Sequence, residues 1–519
     1  VIIVGAGPTG LALALALARQ GVPTLVLDSG DGGVPQRPAR TCVLPPDTAH
    51  WARLPAARRQ AEMWSASRTT VRGKTVEHVE FPAGAAPLQL PLHALERALW
   101  DAVTQEELVR VATGCRLTGI DQRDREVTAH LIGPRGEEHR QGSHLVGCDG
   151  ARSTVRKLLR VAFAGRTSVE RYAVATLRVA LPHPGEAALH RALPGAGRHT
   201  VEEVALRPLT GGQWRFDWPL PADDALVTPG ALLERIQHTL GAWQQGGPAP
   251  YELLDTGVYL CHQRLARHWR RGRVLLAGDA AHLLGALGTQ QVAEGLRDAD
   301  NLAWKLAVDW HHGDAEALLD SYQTERRAAV GARLRAVDQA LPLVRGRGGL
   351  GTLLTGRERG RLGLLTDAPL GRGSLGSPST YPVPRLPHSL TVATAPGAPV
   401  EDVPVTALDG ARGRLRGWLG GPVLLVLTAP GAAVWEPRHW LSAGLMPELA
   451  GTVDALPLDA QLLVTEEYPG APAHTLLIVR PDGRLAAALP GAASAQLRRY
   501  ARLLRGQPAD DTPAPTPRA

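Results

Sequence analysis

Six residues near the N-terminus, Gly5-Ala6-Gly7-Pro8-Thr9-Gly10, have the types and spacing of a turn that lets a phosphate approach the main chain. An apolar run over residues 1–4 precedes them, and an apolar run over 11–20, ended by Gly21, follows. Strand, turn and helix in that order leave the helix N-terminus, with its unpaired N–H groups and positive dipole end, facing the phosphates. Gly5 permits the tight turn, Gly7 admits a pyrophosphate, and Gly10 lets helix and strand pack closely. A second strand, Thr24–Leu27, closes on Asp28, 18 residues past Gly10, where a carboxylate can accept from ribose hydroxyls. These residues point to a dinucleotide without choosing between NAD and FAD. A glycine-rich turn with no ligand is the plainer alternative, and the ordered strand, turn, helix, strand and acid weigh against it.

Other chemistries find little support. The four cysteines, Cys42, Cys115, Cys148 and Cys261, form no C-x-x-C, which argues against zinc, dithiol redox work and a disulfide framework. No pair of the H-E-x-x-H kind occurs among the 18 histidines, so no metal is expected, and His311-His312 reads as a solvated helix end. The net charge of +7 is scattered, which suits solubility and anionic cofactors rather than nucleic acid. No apolar stretch reaches the roughly 18 residues of a membrane helix. With no secretory signal at the N-terminus either, a reducing cytoplasm is the expected compartment. The chain opens on Val1 without an initiator Met, so native residues are expected to precede it.

A length of 519 residues suggests three or four domains at roughly 150 residues each. Residues 92–103 read as an amphipathic helix, 116–121 and 127–132 as strands, and 144–148 as a short strand stopping at Asp149-Gly150. From about 160 to 270, alternating runs such as 172–180 and 213–218 predict a mostly antiparallel sheet. Trp outnumbers Tyr and Phe, 12 against 7 and 3, a bias that suits flat pockets or ordinary cores. Trp214 and Trp218 share one face of the 213–218 strand; they are candidates for the floor of an aromatic pocket, with core packing the plainer reading.

Two later segments choose the dinucleotide. Leu145-Val146-Gly147-Cys148-Asp149-Gly150-Ala151-Arg152-Ser153-Thr154-Val155-Arg156 and Arg273-Val274-Leu275-Leu276-Ala277-Gly278-Asp279-Ala280-Ala281-His282 closely resemble paired signatures of the FAD-dependent aromatic hydroxylases. These are the class A flavoprotein monooxygenases typified by p-hydroxybenzoate hydroxylase. Gly295-Leu296-Arg297-Asp298-Ala299-Asp300-Asn301-Leu302-Ala303-Trp304-Lys305-Leu306 and Ser321-Tyr322-Gln323-Thr324-Glu325-Arg326-Arg327 resemble the same family, so the likeness spans residues 1–330. The resemblance implies that Asp279 hydrogen-bonds the ribityl chain of FAD, with Gly278 allowing close approach. It places Asp149 and Gly150 where flavin and nicotinamide sites meet, and makes Arg40 a cofactor contact. His93 stands where the family usually has Gln, as either a cofactor contact or a helix-start surface residue.

The run after G-D-A-A-H also departs from the family. Gly285 and Ala286 stand where prolines are usual, and Ala293 where Asn is. Backbone groups of the 285–295 loop, Gly288, Val292 and Ala293 among them, are implied to touch the flavin, and the missing prolines predict a looser loop. Gly285, Ala286, Gly288, Thr289 and Gln290 are the flavin-proximal candidates for catalysis, with Thr289, Gln290 and Gln291 next in line for holding the flavin peroxide if loop stiffness does not protect it.

The expected fold is α/β: a Rossmann-like FAD-binding domain in two parts (1–160 and 271–345), a middle antiparallel-sheet substrate domain (161–270), a linker (346–389), a C-terminal thioredoxin-like α/β domain (390–506) and a disordered tail (507–519). The last domain is read from Ile478-Val479-Arg480-Pro481-Asp482-Gly483-Arg484, similar to the V-R-P-D-G turn of larger family members, and lacks C-x-x-C. Structural support or a homodimer contact is its expected role. The resemblance implies that NAD(P)H reduces FAD, that O₂ adds to give a C4a-hydroperoxide, and that a phenolic or polycyclic aromatic molecule is hydroxylated, as in the polyketide tailoring of antibiotic biosynthesis. Baeyer–Villiger oxygenation, dehydrogenation and a flavin-containing aromatic-binding protein without turnover stay open as alternatives.

Overall fold

A computed structural model describes residues 1–82, 84–194, 200–220, 227–242, 250–285, 290–313, 315–344, 379–383, 386, 389–429, 445–454, 456, 459–491 and 494–504. The chain divides into two compact units. One holds residues 1–15, 23–299 and 330–378; the other holds 16–22, 300–329 and 379–519. The division falls inside the helix Gln291–His312, so the second half of that helix groups with the C-terminal residues.

The first unit is built on a six-stranded sheet in the order Arg270–Arg271, Val274–Leu276, Leu145–Gly147, Ile2–Val4, Thr24–Leu27, Val109–Ala112. All pairings are parallel except that of the Arg270–Arg271 edge strand. The central strands Ile2–Val4, Leu145–Gly147 and Val274–Leu276 are apolar because they are buried along their whole length. The helix Pro8–Arg19, an alternation of Leu and Ala, is buried along most of its length.

The same unit carries an eight-stranded sheet, in the order His282–Leu284, Glu252–Ala266, Phe163–Arg178, Gln213–Leu220, Thr200–Leu209, Glu186–Pro194, Ala66–Val71, Lys74–Glu80. Its pairings are antiparallel except between Glu186–Pro194 and Ala66–Val71. Two of its strands come from residues 66–80, within the segment assigned from sequence to the first part of the dinucleotide-binding domain. One face packs on the helix Pro229–Gly241 through Trp214, Phe216, Trp218, Leu232, Ile236 and Leu240.

In the second unit the strand Val423–Thr428 is buried throughout. It pairs in parallel with Ala460–Thr465 and antiparallel with Thr475–Val479, and a hairpin leads on to Leu485–Pro490. The helix Ser494–Leu504 follows.

Candidate functional site

Val4, Leu27, Gly147 and Leu276 lie in one row across the parallel sheet, at the carboxyl ends of its four central strands. The segments leaving that row carry Gly5–Gly10, Asp28, Asp149 with Gly150, and Gly278 with Asp279. In-register pairing therefore gathers residues up to 274 positions apart at the strand ends, where open α/β sheets hold ligands.

The three glycines of the first turn differ in surroundings. Gly5 has φ +107°, and a Cβ there would stand 2.4 Å from the Cys148 carbonyl oxygen. At Gly10 a Cβ would stand 2.0 Å from the Gly5 carbonyl oxygen, so helix and strand approach too closely for a side chain. At Gly7 a Cβ would meet nothing within 4 Å. That open space lies at the start of the Pro8–Arg19 helix, where a pyrophosphate fits. Thr9 is wedged between two glycines; a Cβ would come within 2.6 Å of its Oγ1 from Gly278 and 2.2 Å from Gly295. Gly295 had no assigned role in the sequence, although a glycine inside a helix signals a close approach.

Both carboxylate oxygens of Asp28 accept main-chain bonds, from Ala6 N and Gly30 N, each at 2.7 Å. The side chain thus braces the glycine turn, and each oxygen keeps lone-pair capacity for a ribose hydroxyl. Asp149 caps the short helix Thr154–Leu158, accepting from Ser153 Oγ at 2.5 Å, Thr154 N at 2.6 Å and Val155 N at 3.0 Å. Gly150 has φ +77° and open space beyond it. Arg156 donates to the carbonyls of Ala280 (2.9 Å) and Ala151 (2.8 Å), joining the two signature segments.

Asp279 is half-buried, and desolvation pushes its carboxyl above the usual range, while a hydrogen bond from Gln291 and the charges of His282 and Arg40 oppose the rise. Arg40 and Asp279 thus lie within electrostatic reach of each other. The Arg40 side chain is exposed, and its carbonyl accepts from Leu92 N at 2.7 Å. The preceding peptide is clamped from the large sheet: Ala39 N donates to Asp255 Oδ2 at 2.9 Å, and Arg215 Nη1 donates to the Ala39 carbonyl at 2.8 Å. Arg215 is held by Asp217, which also pairs with Arg207. His93 is half-buried rather than a surface residue. Desolvation lowers its pKa against the raising effect of a main-chain hydrogen bond with Arg37, and its Nδ1, at the start of the helix, is buried without a hydrogen-bond partner.

The aromatic floor needs correction. Trp218 is fully buried, and its Nε1 donates to Thr239 Oγ1 at 3.0 Å, under the Pro229–Gly241 helix. Strand alternation turns Trp214, Phe216 and Trp218 to that helix, while Arg215 and Asp217 take the opposite face. Trp214 belongs to the same packed layer and also borders a cavity of about 330 Å³ with Arg68, Thr70, Glu186 and His190.

Of the flavin-proximal loop, Ala286, Gly288 and Thr289 lie outside the described residues. Gln290 is buried and its Oε1 accepts from Arg333 Nη1 at 3.2 Å; Arg333 also pairs with Glu294 at 2.5 Å. Ala293 is buried and Val292 half-buried in the first turn of the following helix. Gly285 has φ +60°, and a Cβ there would stand 3.2 Å from Gln263 Cβ. A proline fixes φ near about −65°, so none fits this backbone. Gly285→Pro is expected to disrupt the turn rather than stiffen it, giving weaker FAD retention and an earlier thermal midpoint. Wild-type values for both would show that the turn accepts a negative φ. Among the described residues no group of three or more His, Cys, Asp or Glu could hold a metal ion, and no helix is long and apolar enough to cross a membrane.

Comparison with known proteins agrees with this geometry. The 3-(3-hydroxy-phenyl)propionate/3-hydroxycinnamic acid hydroxylase of Mycolicibacterium smegmatis is 30% identical over 349 residues, 63% of this chain and 58% of that protein. The chain thus spans under two thirds of the length of the curated relatives it matches. The OxyS anhydrotetracycline hydroxylase of Streptomyces rimosus has a TM-score of 0.68 at 26% identity, over 97% of this chain and 98% of its own. The flavin-dependent monooxygenase PieE, solved with FAD and substrate, has a TM-score of 0.74 over 98% and 99%; at 19% identity that likeness is one of fold. The FAD binding domain family model matches residues 1–337, well over half of the chain, and the protein belongs to that family.

Proposed function

We propose that this protein is an FAD-dependent monooxygenase that uses NAD(P)H and O₂ to hydroxylate a phenolic or polycyclic aromatic small molecule. The observation that carries the reading is the single row of strand ends presenting Gly7, Asp28 and Asp279 together. FAD, when bound, would supply the redox chemistry that links NAD(P)H and O₂ to the hydroxylation of the ring. The chain binds and orients it. The open side of Gly7 and the Pro8–Arg19 helix start receive the pyrophosphate, Asp28 accepts from the ribose, and Asp279 accepts from the ribityl chain. Arg40, held through Ala39 by Asp255 and Arg215, adds a positive charge beside the anionic cofactor. Water must be excluded from the reacting ring, or reducing power is lost as H₂O₂.

The substrate class is supported by the relatives' names, one acting on a single phenolic ring and one on anhydrotetracycline. A cytoplasmic setting is supported by four buried cysteines, none of which forms a disulfide. The mixed pairing around Val423–Thr428, with no C-x-x-C, supports a thioredoxin-like C-terminal unit with a structural role. The purified protein is expected to be yellow, to release FAD on denaturation, and to oxidise NAD(P)H faster when an aromatic substrate is added. A colourless protein that cannot be reconstituted with FAD would sink the reading. A yellow protein whose NAD(P)H oxidation no phenolic or polycyclic aromatic accelerates would overturn the hydroxylase assignment alone.

A further inference from the structure

We propose that Gln291 is the residue that positions Asp279 for FAD and pins the turn beside it. Its amide uses both ends. Nε2 donates to Asp279 Oδ1 at 2.7 Å and to the His282 carbonyl at 2.8 Å, while Oε1 accepts from Leu284 N at 2.8 Å. One side chain at the start of the Gln291–His312 helix therefore reaches back across the short strand His282–Leu284, just before Gly285 leaves it at φ +60°. Glycine at 285 does nothing to fix this turn; the Gln291 amide does.

The bond to Oδ1 also sets the direction of Asp279. With that oxygen engaged, rotation of the carboxylate is restricted and Oδ2 is left to accept from a ribityl hydroxyl. The surroundings suit a neutral donor. Asp279 faces the charges of His282, Arg40 and Asp298. Asp298 Oδ2 is itself occupied by Gly278 N at 2.9 Å and His282 Nε2 at 2.8 Å. A second carboxylate in place of the amide would put like charge against Asp279, and only its protonated form could donate.

The inference rests on the reading that Asp279 contacts FAD, and the test separates the two. FAD dissociation constants are measured by flavin fluorescence on reconstituted apoprotein for wild type, Asp279→Ala, Gln291→Met and Gln291→Glu, from about pH 4.5, near the ordinary carboxyl range, to about pH 8.5. Asp279→Ala is expected to weaken FAD by roughly ten- to a hundredfold, the worth of one charge-assisted hydrogen bond. Gln291→Met is expected to weaken it by about tenfold at every pH. Gln291→Glu should hold FAD nearly as wild type at the acid end and lose it progressively as pH rises and the new carboxyl ionises. Met fills nearly the same space without the amide, so a loss in Gln291→Met reports the hydrogen bonds and not the volume. Wild-type affinity in Gln291→Met beside a weakened Asp279→Ala overturns the role of Gln291. Unchanged affinity in Asp279→Ala overturns the ribityl contact on which it depends. If Gln291→Met does not fold, Gln291→Glu alone decides: a pH dependence equal to wild type refutes the proposal.

Discussion

Arg480→Ala is expected to destabilise the C-terminal unit by about 3–5 kcal/mol, the cost of removing one partner from a buried ion network. Arg480 donates to both oxygens of Glu325, at 2.8 and 2.7 Å, and to both of Asp482, at 3.0 and 2.6 Å. Lys305 Nζ and Asn301 Nδ2 also donate to Glu325, each at 2.8 Å, and Asn301 reaches Asp482 at 2.8 Å. Every member is nearly or fully inaccessible to solvent. Without Arg480, two buried carboxylates would share one ammonium and one amide.

The pH dependence has a definite sign. Burial raises the Glu325 carboxyl, but the charges of Arg480 and Lys305 outweigh it and hold the group well below the usual carboxylate range. Its stabilising contribution is complete above the unfolded value of about 4.3 and is lost as pH falls from there toward the folded value. In the variant Glu325 can take up a proton and relieve the uncompensated charge. The stability gap from wild type should therefore be widest near neutrality and narrow in acid. Burial pulls Lys305 down to about 8 against the raising effect of Glu325, so below that pH the ammonium stays charged and keeps its bond. Thermal midpoints of both proteins from pH 4 to 7.5 provide the measurement. A drop under about 1 kcal/mol, the size of an exposed pair, or a gap that widens in acid, would show that the network does not secure this unit.

That network also shows where the sequence stops being legible. The glycine turn, Asp28 and the strand before Asp149 are local patterns whose geometry follows from a few consecutive residues, and the structure places them as read. Arg480 and Glu325 are 155 residues apart, and no periodicity announces their pairing. The V-R-P-D-G turn was visible, but its partner was not. Residues 66–80 join the large sheet beside Glu186–Pro194 for the same reason: strand pairing at long sequence separation leaves no local trace. Alternation correctly put Trp214 and Trp218 on one face of their strand. Which face the helix would cover depended on packing against residues 229–241, so the inward pair Arg215 and Asp217 went without a role. Gln291 was a candidate by its place in the loop alone; its three bonds needed coordinates.

Gly7→Ala and Gly10→Ala should separate the two kinds of work a glycine does in the first turn. A Cβ at Gly7 meets nothing of the chain within 4 Å, so the apoprotein of Gly7→Ala should melt as wild type does. The same methyl occupies the space through which the pyrophosphate approaches the helix start, and FAD affinity should fall about a hundredfold or more, roughly 2.7 kcal/mol. Gly10→Ala is different in kind. Its Cβ would lie 2.0 Å from the Gly5 carbonyl oxygen, a main-chain atom, and 3.3 Å from Cys148 Cβ. Relief requires moving the helix or the turn, and Gly5 N is already committed to the Leu27 carbonyl at 2.7 Å. Overpacking of this kind costs about 1–3 kcal/mol, sometimes more, so the apoprotein should melt earlier and FAD affinity should fall with it. Apoprotein thermal midpoints and FAD titrations followed by fluorescence measure both quantities on each variant. Wild-type FAD affinity in Gly7→Ala would place the phosphates elsewhere, and wild-type stability in Gly10→Ala would mean that helix and strand stand further apart than the structure has them. Loss of affinity in both, with loss of apoprotein stability in Gly10→Ala alone, is the pattern that a phosphate cradle at Gly7 and a packing contact at Gly10 require.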